Sequence, residues 1–351
     1  DLNAGAKVGE TIRVRRRSAG VVDEYGGTSI TVRDIEESSY SIILEKHYDA
    51  SIKITSGDLT LDLVDFSEQV LAPRMIELGE VFDTYALTKL KDIPNVAGPS
   101  ETDPSALPAT IAAMALVRKT LNDLKVPMRD RFQIVSTEYE AVLLGVDSFV
   151  EADKSGTTDA LREAEVGRLS GFSFFMGQNV PTTTHTSGTQ TAAVVNDATL
   201  IKGSTSIAYD GAAQASGTML EGDILTIAGY GNVVVAATST ASTSAGTVTI
   251  KEPLREDVAD DAIITVYDGG GTNRECHGAA FHPQCLAFVA VPLELPMGAQ
   301  GSYLNDPETG LAIRAVFDWD RDLKSDVLSL DILVGARMID GRMGAQIVKG
   351  T

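Results

Sequence analysis

From Thr11 to Leu63 apolar and polar positions alternate, as in Thr11-Ile12-Arg13-Val14-Arg15, Ser29-Ile30-Thr31-Val32 and Ser51-Ile52-Lys53-Ile54. A period of two predicts strands, and Gly20, Gly26-Gly27 and Gly57 punctuate them into an extended hairpin. A lone hairpin is marginally stable, so this one is expected to lie on a surface that its own sequence does not supply. After Asp65 the period turns helical: Leu71, Met75, Leu78, Phe82 and Tyr85 share a face. Pro73 either opens this helix at its first turn or kinks a longer one, and Pro94 and Gly98-Pro99 end it.

A second helix is predicted from about Ser105, with Leu107, Ile111, Met114, Val117, Leu121 and Leu124 on one face and Pro127 closing it. Next come an expected strand at Phe132–Val135, short helices at Thr137–Leu144 and Thr158–Glu165, and a strand pair around Gly171 within Val166–Met176. From Thr182 to Asn273 the composition shifts to Thr, Ser, Ala and Gly, with Lys202, Lys251 and Arg255 as its only basic residues. Short apolar runs recur there at Ile224–Ile227, Val233–Val235, Val248–Ile250 and Ile263–Val266, which predicts a small β-barrel or sandwich. Long strands then return at Leu286–Val291, Leu311–Trp319 and Val327–Met338, before the chain ends in Ile339–Lys349. The simplest organisation is a discontinuous α+β parent interrupted by a β module.

Composition narrows the function. Over 351 residues, 43% hydrophobic and 22% charged is an ordinary globular mixture, which excludes disordered and collagen-like readings. The nearest approach to a membrane span, Cys285–Pro296, is cut by Pro292 and Glu294. The first residues lack a secretory signal and an initiator methionine, so the chain is expected to begin inside a longer gene product. Two cysteines make no disulfide framework and no Asn-x-Ser/Thr acceptor occurs, which fits a reducing cytoplasm. With 29 Lys plus Arg against 49 Asp plus Glu, the formal charge of −20 disfavours a nucleic-acid-reading surface, so any DNA contact should be nonspecific.

No catalytic signature emerges. Cys276, His277, His282 and Cys285 lie within ten residues, but without Cys-x2-Cys or His-x3-His spacing, and adjacent Cys276 and His277 point to opposite sides of a strand. No metal or cofactor is expected. Asp318, Asp320 and Asp322 resemble the start of a calcium loop, yet Leu323 and Ser329 stand where glycine and glutamate are required. Gly269-Gly270-Gly271 is followed by no Walker lysine or dinucleotide spacing, and His47, His185, His277 and His282 accompany no Gly-x-Ser-x-Gly elbow. The one dense basic run is Arg13, Arg15, Arg16 and Arg17. In so acidic a chain it is expected to pair with acidic faces of identical subunits, a solvated strand face being the alternative.

The order of elements resembles the coat proteins of tailed phages with the Hong Kong 97-type fold, in particular short-tailed phage coats with an inserted β domain. The likeness is carried by Gly9-Glu10-Thr11-Ile12-Arg13-Val14 as the strand opening the E-loop and by Ile54 to Leu90 as the spine helix with its lead-in. Leu124-Lys125-Val126-Pro127-Met128-Arg129-Asp130-Arg131 looks like the turn after the second helix. Val166-Gly167-Arg168-Leu169-Ser170-Gly171-Phe172, ending in Asn179-Val180-Pro181, is similar to the strand pair before the insertion, and Ala280-Phe281-His282-Pro283 through Pro292 to the strand after it.

The resemblance implies a non-enzymatic major capsid protein that assembles through pentamers and hexamers into an icosahedral shell around double-stranded DNA. It implies a remnant arm at 1–10, an E-loop hairpin at 11–57, a peripheral domain at 58–104 and 310–351, an axial domain at 105–181 and 274–309, and an inserted barrel-like domain at 182–273. The implied partners are further copies of the chain, a scaffolding protein, a portal, a decoration protein and nonspecifically contacted DNA, with no membrane. The implied location is the virion, assembled in the bacterial host cytoplasm. The alternatives are an encapsulin-like nanocompartment shell, a decoration or adhesin protein, and a metal enzyme using Cys276, His277, His282 and Cys285.

Overall fold

The computed structural model describes residues 8–15, 24, 32, 39–54, 72–97, 107–146, 168–182, 184–189, 193–198, 200–211, 217–239, 245–267, 273–296, 298, 300–305, 312–322 and 325–350. In chain order the first elements are β1 (Thr11–Arg15), β2 (Ser39–Ile43), β3 (Lys46–Asp49), β4 (Ile52–Ile54), α1 (Ala72–Thr88), β5 (Val96–Ala97), α2 (Ile111–Asp123), β6 (Phe132–Val135), α3 (Thr137–Leu143), β7 (Arg168–Leu169), β8 (Phe172–Met176) and β9 (Thr184–Thr186). A run of strands follows: β10 (Ala193–Val195), β11 (Ser206–Asp210), β12 (Ile224–Ile227), β13 (Gly231–Ala237), β14 (Ala245–Ile250) and β15 (Ile263–Tyr267). The last are β16 (Asn273–Phe281), β17 (Leu286–Val291), β18 (Gln300–Asn305), β19 (Ala312–Asp320), β20 (Ser325–Met338) and β21 (Gly344–Gly350). The chain forms two units, Asp1–Asp83 with Leu286–Ile339, and Thr84–Cys285 with Asp340–Thr351.

The first unit is built on β20, the longest strand. Its sheet runs β17-β20-β19-β18, with β3 and β4 also paired to β20. The β1–β2 ribbon holds its own register from Thr11↔Ile43 to Arg15↔Ser39. Ile42 and Leu44 are fully buried, and Leu44 clusters with Val291 and Leu333 against Ile12, Val289 and Leu293. A Cβ on Gly335 of β20 would come within 2.5 Å of the Ile43 carbonyl, so the ribbon sits directly on that strand's backbone. The expected single hairpin over 11–57 therefore needs correction. It ends at Ile43, and β3 and β4 leave it to pair with β20 (Tyr48↔Ile332, Ile52↔Leu328) because Leu44 pins the chain into the core between them. Of the expected strand at Ser29–Val32 only Val32 is among the described residues; it is exposed and in no strand.

Pro73 stands in the first turn of α1, where its missing N–H costs nothing, so it opens the helix rather than kinking it. Phe82 packs edge-on against Phe288 of β17, ring centroids 4.3 Å apart.

In the second unit the parent sheet runs β5-β21-β16-β6-β8-β7, with β9 also paired to β16. Its core gathers Met114, Val117 and Leu121 of α2, Tyr139 and Leu143 of α3, and Val135, Phe172, Phe174, Ala280, Ala345 and Ile347 from the strands. The second helix starts at Ile111 rather than Ser105, because Thr110 is extended and its hydroxyl caps the Ala113 N–H at 3.2 Å. The expected helix at Thr158–Glu165 lies outside the described residues.

Strands β10 to β15 close into a six-stranded barrel, order β10-β11-β14-β13-β12-β15, filled by Val195, Ile207, Tyr209, Met219, Leu225, Ile227, Val235, Val248 and Ile264 among others. The β module is thus narrower than 182–273. Thr184–Thr186 pairs with Asn273–Glu275, so both ends of the expected insertion belong to the parent sheet.

The pairing of the last strands also differs from the expected grouping of 310–351 with the helix at 58–104, and of 274–309 with 105–181. Leu286–Val291 joins the first unit by pairing with Leu333–Met338, and Gly344–Gly350 joins the second by pairing with Arg274–Phe281. The redirection happens at Gly341–Met343, a single 3-10 turn whose N-cap Asp340 accepts from the Arg342 N–H at 3.0 Å.

Candidate functional site

The basic run is only partly within view. Arg13 and Arg15 are exposed on one face of β1, alternating with half-buried Ile12 and Val14 on the other, as a strand whose inner face is covered requires. Arg16 and Arg17, and nearly all of the chain between β1 and β2, lie outside the described residues.

Beyond the end of the ribbon, β3 is held to the sheet by a polar cluster. Asp331 of β20 is 3% exposed, and the Arg314 Nε donates to its Oδ1 at 2.8 Å while Nη2 bonds Oδ2. His47 Nε2 lies 3.1 Å from the same Oδ2. Beside it Ser329 donates to Asp49 Oδ1 at 2.8 Å and Ser51 donates to Asp49 at 2.8 and 2.9 Å. A buried carboxylate held by a two-pronged guanidinium is well satisfied, and here it fixes β3 against β19 and β20. Sequence reasoning missed this cluster. Its one signal is Asp331 within Leu330-Asp331-Ile332-Leu333, a charge where the strand should be apolar.

The first unit also exposes large apolar side chains. Trp319, the chain's only tryptophan, is 52% exposed, with Phe317 of the same strand and Tyr303 of β18 exposed as well. Ile76 and Val81 of α1 are likewise in the open. Apolar surface of this kind beside charged residues marks contact with other macromolecules more often than a small-molecule site.

The other candidates resolve into structural roles. His277 is fully buried, its Nδ1 3.1 Å from Ser136 Oγ and 3.8 Å from Glu138, its Nε2 3.5 Å from Glu275. Burial pulls its pKa down, against the two carboxylates. Cys276 and Cys285 are free, buried thiols whose pKa values burial raises. His282 Nδ1 accepts from the Gln284 N–H at 3.3 Å. Among the described residues no group of three or more His, Cys, Asp or Glu is placed to hold a metal ion. Asp318 accepts from the Trp319 N–H at 2.8 Å and Asp320 from the Asp322 N–H at 2.7 Å, so these carboxylates shape a strand end and its turn. Gly269-Gly270-Gly271 lies outside the described residues. No described helix is long and apolar enough to cross a membrane.

No protein-family model matches the chain, and no curated protein matches it. Solved structures do. The chain is similar to a structure of Mycobacterium phage Che8 at 14% identity and a TM-score of 0.49, over 96% of this chain and 84% of that one. It is similar to the capsid structure of cyanophage P-SCSP1u at 12% identity and 0.49, over 99% and 86%. It is similar to the mature capsid of bacteriophage PhiM1 at 13% identity and 0.47, over 98% and 84%.

Proposed function

We propose that the chain is a major capsid protein of a tailed phage, a shell subunit with no catalytic role. One observation carries the reading: a two-stranded ribbon is seated on β20 by buried Ile42 and Leu44, while its outer face presents Arg13 and Arg15 to solvent. A rigid seat with an open cationic face is what a subunit needs to reach across to an acidic neighbour, and at −20 every copy offers acidic faces.

In this account Arg13, Arg15, Arg16 and Arg17 form contacts between subunits, and the chain between β1 and β2 lies over the next copy as an added element. Pentamers and hexamers then close into an icosahedral shell, since each heterologous contact carries a rotation that closes its ring. The first unit serves as the peripheral domain and the parent sheet of the second as the axial domain, with the barrel as the insertion. An encapsulin-like shell is the second reading, and the closed barrel favours the phage over it. The assembled protein belongs in the virion, with scaffolding, portal and decoration proteins as partners during assembly in the host cytoplasm.

The test is to replace residues 18–36 with a short Gly-Ser linker, which spares the Arg15↔Ser39 register and the buried Ile42 and Leu44. A folded subunit with unchanged circular dichroism that no longer forms shells is expected. Normal shells from this variant would refute the role given to the ribbon.

A further inference from the structure

Phe317 and Trp319 stand two residues apart on β19 and so share one face of the first unit's sheet, across the register from Leu328 and Asp326 of β20. Beside them opens a groove of about 310 Å3 walled by Gln300, Ser302, Ala315, Phe317 and Leu328. Trp319 lies beyond the last β18 pair, Gln300↔Phe317, and its indole is 52% exposed. A contiguous apolar strip of this kind marks a contact surface. Carboxylates frame it. From Asp318 to Asp326 the chain carries Asp318, Asp320, Asp322 and Asp326 against Arg321 and Lys324. Among the described residues no cation pairs with Asp318, Asp322 or Asp326. The strip therefore favours a partner that is cationic and able to stack.

The complementary set is on the ribbon. Arg13 and Arg15 are exposed two residues apart on β1, the same repeat as Phe317 and Trp319, so each pair spans about 6.6–6.8 Å of extended chain. A guanidinium stacks on an indole face and can bond a carboxylate beside it. The same copy cannot make this contact. Leu44 clusters with Leu333, and Gly335 lies against the Ile43 carbonyl, so the ribbon is seated on the face of β20 that carries Leu333 and Gly335. Asp326 and Leu328 belong to the other face, with Trp319 and Phe317.

We propose that the Phe317–Trp319 strip is where a second copy of the chain lays the arginine face of its ribbon, one guanidinium stacked on Trp319 and bonded to Asp326, the other along Phe317. The inference rests on the reading of the chain as a shell subunit and names the surface that receives the ribbon. Because the two patches differ, each copy gives one and receives one, which is the heterologous pairing that builds rings.

Trp319 is the only tryptophan, so the intact chain reports on its own strip. Its emission and its quenching by acrylamide are followed as subunits assemble, with electron microscopy of the same samples to score shells. On assembly the emission should move to shorter wavelength and the quenching constant fall to about half or less, as a 52%-exposed indole leaves water. Arg15→Asp and Asp326→Arg should each raise the protein concentration needed for assembly by about tenfold with circular dichroism unchanged, and the two together should bring it back. Trp319→Ala, at an exposed position, should raise it similarly. Shells in which Trp319 stays as quenchable as in the subunit would overturn the proposal and leave the shell reading standing. Burial of Trp319 without rescue by the paired reversal would mean a different occupant, and would overturn it too. A parent chain that forms no shells removes the shell reading, and the proposal with it.

Discussion

Arg255 Nη2 lies 3.0 Å from Asp340 Oδ1, tying the barrel to the turn before the last strand of the parent sheet. Glu252 completes the contact at 2.5 Å from the same guanidinium. With Lys251 on Asp92, two of the three basic residues between 182 and 273 are spent on attachment. Removing one partner of such a partly buried group leaves a carboxylate unpaired, so Arg255→Ala should cost about 1–3 kcal/mol in urea unfolding.

The same contact predicts acid sensitivity. Burial pushes the Asp340 carboxyl up, but the Arg342 hydrogen bond and the charges of Arg255 and Arg342 outweigh it and hold the group below its usual value. A depressed carboxylate contributes stability that is whole above the unfolded-state pKa, 3.8, and is lost as pH falls through the folded value. Asp340→Asn should be less stable than the parent protein near neutrality and should lose less on going below pH 4, as followed by denaturant titration across pH.

His277 acts at milder pH. Its folded pKa lies below 6.5 through burial, so the unfolded chain takes up its proton first. The stability it contributes is complete above about pH 6.5 and falls as pH drops from there towards the folded value. His277→Gln should flatten the slope of unfolding free energy just below pH 6.5. An unchanged slope would mean that other groups set it.

Much of this architecture was legible in the residues. Phe132–Val135 and Ile224–Ile227 match their strands end to end, because short alternating or apolar runs bounded by turn residues leave few other options. The ends of the hairpin and of the β module were not legible. Leu44 reads as one more apolar residue in an alternating stretch, and only its burial against Val291 and Leu333 shows that the chain leaves the hairpin there. Thr184–Thr186 has barrel-like composition but pairs with β16, a partner almost ninety residues on that no local pattern reveals. For the candidate site, the arginine run was visible, whereas Asp331 and its partners Arg314 and His47 meet only through long-range pairing.

Two glycines should respond in opposite directions. Gly278 has φ +146° at the irregularity in β16, and a Cβ there would sit 2.1 Å from the Ile134 carbonyl oxygen, so Gly278→Ala should destabilise by about 2 kcal/mol or more. Gly79, within α1, has open space around it, and Gly79→Ala should stabilise the isolated subunit by about 0.5–1 kcal/mol. Urea midpoints of both variants check the pair.

Both thiols should be silent in the folded protein. Cys276 and Cys285 are free and buried, and burial holds each as the unreactive thiol. A thiol reagent should label neither at neutral pH and both after denaturation.

The central claim is that this chain builds a shell through its ribbon. Negative-stain electron microscopy of the purified protein, alone and with its scaffolding partner, tests it most directly, alongside the double variant Arg13→Glu, Arg15→Glu. Closed, uniform shells are expected from the parent chain, and folded, unassembled subunits from the variant. Persistent monomers of the parent chain under both conditions would contradict it.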